Sequence, residues 1–194
     1  KQKGYSHILE HLLCKDMIDL YNNAGKNRMG AYINGYTGRE SVYFLMEAST
    51  KYFNDILSVL NSLIRNFNDN TDEFEIKKKA IMQEVLITKD NPTKLLSSSA
   101  LRVFFGDHPL AQEVIGSPET VQNATIEELK KYQNCLFTPE RSAVVVASNL
   151  PHDEILKLVA GYFESWEPGV LPMIKEKYQV SKDHEKYLYV PHPN

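Results

Sequence analysis

The chain has 194 residues with 42% hydrophobic and 24% charged side chains and a formal charge of −3, so it is long enough for one domain with its own core and has no basic bias to serve nucleic acid. No apolar run approaches the roughly 18 residues of a membrane span, and the first residues do not lead into a signal-like stretch. Cys14 and Cys135 form no C-x-x-C pair, so the expectation is a soluble, cytoplasmic chain in a reducing compartment that engages neither nucleic acid nor membrane.

Ile8, Leu9, Leu12, Leu13 and Met17 recur at helical spacing, predicting an amphipathic helix from Ser6 to about Leu20 with Ser6 at its cap. Tyr21 to Gly30, rich in Asn and Gly, reads as a loop. Ala31 to Phe44 alternates around Gly35 and Gly38, predicting two extended stretches with a tight connection. Helical spacing returns over Tyr52 to Phe67, and further helices are expected from about Asp72 to Lys89, stopping before Asn91-Pro92, and over Lys94 to Phe105. Lys77-Lys78-Lys79, beside Glu73 and Glu75, reads as a solvated helix face.

A loop from Gly106 to Pro118 follows, and then a helix from Ile126 to about Tyr132 capped by Thr125, with Glu128 at the capping-box position. The Ala-Val-Val-Val-Ala run within Arg141 to Ser148 predicts a short buried strand, and Asp153 to Phe163 another helix. Beyond Trp166, prolines and mixed charge suggest a linker or a connecting strand near Tyr187 to Val190. Strands and helices without regular alternation predict an α+β arrangement, one sheet covered by helices.

The chemistry-bearing signal is His7-Ile8-Leu9-Glu10-His11, an H-x-x-E-H sequence in the first predicted helix. At about 100° per residue, His7, Glu10 and His11 share one arc and the apolar residues lie opposite. Two imidazoles four apart can grip one cation with a carboxylate beside them, a donor set that suits Zn2+. Zinc lowers the pKa of bound water toward about 7, within reach of a carboxylate base such as Glu10. The plainer alternative is a solvent-facing helix whose two histidines happen to stand four apart. A third ligand has to come from elsewhere, and periodicity alone does not select Glu84 over Glu73, Glu75 or other acids. Likewise Asn34-Gly35 on its own reads as a hairpin turn. His108 before Pro109 reads as structural and Cys14 as a buried thiol.

Several segments in one order give the chain a wider resemblance. Gly4 to Leu13 is similar to the metal-binding helix of the M16 metallopeptidases, the pitrilysin, insulinase and mitochondrial processing peptidase family, whose H-x-x-E-H is the inverted zincin arrangement. Gly30 to Thr37 resembles that family's G-x-x-N-A-x-T strand, and Ile81 to Glu84 with Asp90-Asn91-Pro92 its second metal-binding helix and exit. His108-Pro109-Leu110, Ile115 to Glu119, Phe137-Thr138-Pro139 and Phe163 to Trp166 follow in the family's order.

The resemblance implies a zinc endopeptidase acting on peptides or small unfolded proteins, with His7, His11 and Glu84 as metal ligands and Glu10 as the catalytic base. Asn34, Gly35 and Tyr36 would bind the peptide as an added strand. It further implies a catalytic-type half-domain over residues 1–168, lacking its first strands. A connection at 169–194 would lead toward a second homologous half, in the same chain or a separate subunit. No counterpart of the Arg and Tyr that the family draws from that second half is evident in this sequence. Two departures stand out. Gly35 takes a position where the family usually has Ala, and Lys77, seven residues before Glu84, takes one where it usually has a second glutamate. A lysine there implies reduced or lost activity, and with it the alternative of a partner subunit or peptide-binding module.

Overall fold

Helix α1 (Tyr5–Asn23) is the element on which the others assemble. It begins where Gly4, at φ +83°, turns the chain, and the Gly4 carbonyl accepts from Ile8 N at 3.0 Å. A side chain at Gly4 could not be accommodated, because a Cβ there would lie 2.7 Å from Gly116 Cα in the backbone of a second left-handed turn. Ser6, expected at the cap, lies inside the first turn with its hydroxyl 2.9 Å from Tyr132 OH. The computed structural model describes residues 3–23, 30–169 and 189.

Ile8, Leu9, Leu12, Leu13 and Met17 are buried, as their spacing predicts. They pack with Val59 and Leu63 of α2 (Phe53–Arg65), Phe74, Ile81 and Val85 of α3 (Thr71–Lys89), and Leu129 of α6 (Ile126–Leu136). Each fully buried aliphatic side chain contributes about 1.5–3 kcal/mol, so this apolar stripe holds α1 and α3 side by side. That packing sets the distance between the two helices that carry the histidines and Glu84.

Strands β1 (Tyr32–Thr37) and β2 (Val42–Glu47) form an antiparallel hairpin with Gly35 opposite Phe44 and Thr37 opposite Val42. Gly38 N donates to Ser41 O at 2.8 Å and closes the connection. Asn34-Gly35 is therefore mid-strand and not the turn. Ile33, Gly35 and Thr37 face α1, while Tyr32, Asn34 and Tyr36 face outward, the period-two alternation of a strand with one packed face.

Local caps place several boundaries. The Asn70 side chain accepts from Asp72 N and Glu73 N at the start of α3, and Asn91 accepts from Lys94 N with Pro92 opening α4 (Pro92–Phe105). That helix starts two residues before the expected Lys94, since proline at the first helical position forfeits no hydrogen bond. Helix α5 (Pro118–Asn123), absent from the sequence expectation, is nucleated by a reciprocal capping box between Ser117 and Thr120. At α6 Thr125 accepts from Glu128 N at 3.3 Å, and the helix continues to Leu136. The last described helix is α7 (His152–Phe163).

The strand expected within Arg141 to Ser148 is not one. Residues 142–148 have no assigned strand, and Val145 is 90% exposed. Apolar composition favours a strand only when a neighbour pairs its backbone, and among the described residues β1 and β2 are the sole strands. The α+β class stands, with helices on a small antiparallel sheet. The expected connecting strand near Tyr187 to Val190 and most of 169–194 lie outside the described residues, as does most of the Tyr21 to Gly30 loop. Among the described residues no helix is long and apolar enough to cross a membrane.

Candidate metal centre

Helix geometry places His7 and His11 one turn apart on α1, and burial of Ile81 and Val85 against α1 turns Glu84 of α3 toward them. His7 Nε2 and His11 Nε2 stand 3.3 Å apart. Glu84 Oε1 lies 3.6 Å from His7 Nε2, and Oε2 lies 3.1 Å from His11 Nε2. Donor atoms around a tetrahedral zinc with bonds of roughly 2.0–2.1 Å stand roughly 3.3–3.4 Å from one another. One ligand atom from each residue thus falls within 4.8 Å of the others, with the chemistry and spacing of a single divalent coordination sphere. The other acids left open by the sequence are engaged elsewhere: Glu73 pairs with Lys15 at 3.1 Å, and Glu75 with Lys78 at 3.2 Å.

Burial, and then the neighbouring His11, hold the pKa of His7 below the ordinary histidine value, with Glu84 and Glu10 acting in the opposite sense. His7 is therefore neutral near pH 7, the form whose lone pair binds metal. Its other nitrogen, Nδ1, is buried with no hydrogen-bond partner among the described residues. An unsatisfied buried donor costs about 1–3 kcal/mol, and metal-binding histidines ordinarily pass that proton to a carboxylate or carbonyl. Lys77 is half-buried on α3, and its charge is felt at the Cys14 thiol.

Glu10 lies beside the triad. Thr37 Oγ1 donates to its Oε2 at 3.3 Å, and Cys14 Sγ donates to its Oε1 at 3.5 Å. Burial, reinforced by the Glu10 charge and hydrogen bond, pushes the Cys14 thiol up to about 12, so it stays protonated and serves as a donor. Gly35 sits against the same group: a Cβ there would overlap Cys14 Sγ and approach Glu10 Oε1 to 2.8 Å. The space freed by the missing side chain is thus occupied from the α1 side.

His7, Glu10, His11 and Glu84 open into a cleft of about 560 Å³ that Gly35, Tyr36 and Thr37 also line. Asn34 and Tyr36 lie on the outward face of β1. Asn34 Nδ2 donates to Tyr32 OH at 2.7 Å, and its Oδ1 accepts from Gly35 N at 2.9 Å. Among the described residues β1 pairs only with β2, so its other edge has no strand partner. Arg39 donates to the carbonyls of Leu110 and Gln112, tying the hairpin connection to the segment that leads into the cleft wall at Glu113. His108 accepts from Leu110 N at 3.1 Å and caps a short 3-10 turn, the structural role expected of it.

Sequence reasoning missed Thr37, Cys14 and Arg39 as members of the site. For Thr37 a signal existed, since it shares with Gly35 the face of β1 that packs on α1. For Arg39 there was none.

A helix-borne H-x-x-E-H facing a glutamate on a second helix, beside a sheet edge, has the arrangement of the inverted zincins. The family described as "Insulinase (Peptidase family M16)" matches residues 1–118, and "Peptidase M16 inactive domain" matches residues 123–194. The chain belongs to the M16 peptidase family. It is 29% identical over 167 residues to an uncharacterized zinc protease of Mycobacterium leprae, which covers 84% of this chain and 37% of that protein. It is 25% identical over 172 residues to a probable mitochondrial-processing peptidase subunit beta of Schizosaccharomyces pombe, covering 87% of this chain and 38% of that one. The fold matches that of a protease from Helicobacter pylori with a TM-score of 0.78 at 18% identity, over 92% of this chain and 44% of the other. The chain thus spans about two fifths of the length of the curated relatives it matches.

Proposed function

We propose that this chain is the metal-binding half of a zinc-dependent endopeptidase that hydrolyses peptides or small unfolded proteins. The observation that carries the proposal is the convergence of His7, His11 and Glu84 within 4.8 Å, with the Glu10 carboxylate alongside in the same cleft. His7 Nε2, His11 Nε2 and a Glu84 oxygen would hold the zinc, which when bound supplies Lewis acidity and lowers the pKa of a water toward about 7. Glu10 takes the proton of the attacking water on a carboxylate oxygen and returns it to the departing amine nitrogen. The free edge of β1 near Asn34, Gly35 and Tyr36 receives the peptide backbone as an added strand and sets its register. The short span of the chain relative to its relatives supports a second, homologous half as partner, covalent or separate.

A peptidase assay on the full chain, with and without that second half, tests the proposal. Cleavage should vanish on exhaustive chelation and return with zinc. A second reading, a weak or inactive homologue that serves as partner subunit or peptide-binding module, is favoured by Lys77 and by the Nδ1 of His7, which has no partner among the described residues. Zinc bound with no cleavage under either condition would select it. Lys77→Glu is expected to tighten zinc binding by about 10-fold or more, since loss of an outer carboxylate typically weakens such sites by about 10–100-fold. Titration against a competing chelator measures this, and unchanged affinity would remove Lys77 from the account.

A further inference from the structure

Both oxygens of Glu10 are engaged, each by a neutral donor from a different element. Thr37 reaches Oε2 from β1 at 3.3 Å, and Cys14 reaches Oε1 from the next turn of α1 at 3.5 Å. Gly35, two residues before Thr37 on the same strand face, leaves the volume in which the thiol and the carboxylate meet. We propose that Thr37, Cys14 and Gly35 together form a positioning device for Glu10, two donors fixing its carboxylate plane and one absent side chain making room for it. The inference rests on Glu10 being the base of the reaction proposed above.

A glutamate has three rotatable bonds, and an unrestrained carboxylate spreads over orientations of which few aim an oxygen at the attacking water. A misplacement of about 1 Å can cost on the order of 100-fold in rate. A charged partner would hold Glu10 as well but would compete for the lone pair that has to take the proton. A hydroxyl and a thiol orient it without setting a formal positive charge against it. Residues 35 and 14 are also coupled by volume. Adding a methyl group at Gly35 drives the thiol out of its place and presses on Oε1, and removing the sulfur relieves the worse of the two overlaps.

The test uses the full chain, loaded with zinc for kinetics and with cobalt for spectroscopy. Thr37→Val is expected to lower kcat by about 10-fold or more at unchanged KM and unchanged metal content and Thr37→Ser to restore it, while Gly35→Ala is expected to lower kcat by a similar factor. Cys14→Ala combined with Gly35→Ala should recover part of the loss caused by Gly35→Ala alone. Without turnover, the d–d absorption of the cobalt protein should shift in Thr37→Val as it does in Glu10→Gln and return in Thr37→Ser. In the metal-free protein, Gly35→Ala should lower the thermal midpoint more when Cys14 is present than in Cys14→Ala. A cobalt band that moves in Glu10→Gln but not in Thr37→Val overturns the positioning role alone, as does a Gly35→Ala effect indifferent to Cys14. A chain that takes up no cobalt, or a band and turnover unmoved by Glu10→Gln, overturns the peptidase reading and this role with it.

Discussion

Glu10→Gln is expected to reduce peptide turnover by about 10²–10⁴-fold, the usual worth of a positioned general base, while zinc content and peptide affinity stay close to wild type. The amide matches the carboxylate in shape and can still accept from Thr37, so the cleft and the metal ligands have no reason to move. What it lacks is a basic lone pair, and neither neighbour supplies one. The Cys14 thiol, pushed up to about 12, holds its proton more tightly than water near an active base could use, and Thr37 is a hydroxyl. The loss should therefore appear in kcat, with direct peptide binding unaltered. Wild type and variant that bind peptide alike while neither cleaves would instead identify a binding module.

His11→Ala and Glu84→Ala should each strip the purified protein of most of its zinc, measured by metal analysis after dialysis. A site with three protein ligands that loses one keeps too few bonds to hold the ion against solvent. These two positions are the informative ones because their side chains are 28% and 42% exposed, so truncation removes a ligand without opening the core. His7, at 10% exposure and packed among core residues, would confound ligand loss with unfolding. Zinc stoichiometry untouched by either substitution would mean that the ligand is wrongly assigned. Acidification offers a related check. Because burial holds His7 below the ordinary histidine range, it stays neutral and available to metal further into acid than an exposed histidine does. Zinc loss governed by protonation of His7 at the ordinary histidine value would contradict that effect of burial.

Lys77 and the Nδ1 of His7 belong to the same question. In a well-supported metal site the second imidazole nitrogen has an acceptor, which fixes both tautomer and ring angle. Here that atom is buried and has no partner among the described residues, and a cation occupies the position in α3 where the family pattern carries a carboxylate. The three candidate ligands stand together, and the layer behind them is thinner than the resemblance implies. That combination is why turnover and metal retention have to be measured separately.

The helices were legible because their signals are local. Apolar residues at 3.6-residue spacing announced α1 and α2, and side-chain caps such as Asn70 and Asn91 lie next to the amides they satisfy. The valine run at 143–147 misled for the complementary reason. Its composition suits a strand, but a strand exists only through pairing, and pairing is decided elsewhere in the chain. Asn34-Gly35 shows the same limit, since the dipeptide favours a turn locally while the register with β2 places it mid-strand.

The sequence by itself determined the arc of His7, Glu10 and His11, because positions three and four apart on one helix leave no freedom in their relative placement. It also placed the chain in its family through the order of short segments. Only the tertiary structure brings Glu84, rather than Glu73 or Glu75, beside the two histidines, and gathers Gly35, Thr37 and Cys14 around Glu10. Those are distances across the packing of α1 with α3 and with β1, set by buried side chains such as Ile8, Ile81 and Val85 and by strand register, which no single segment encodes.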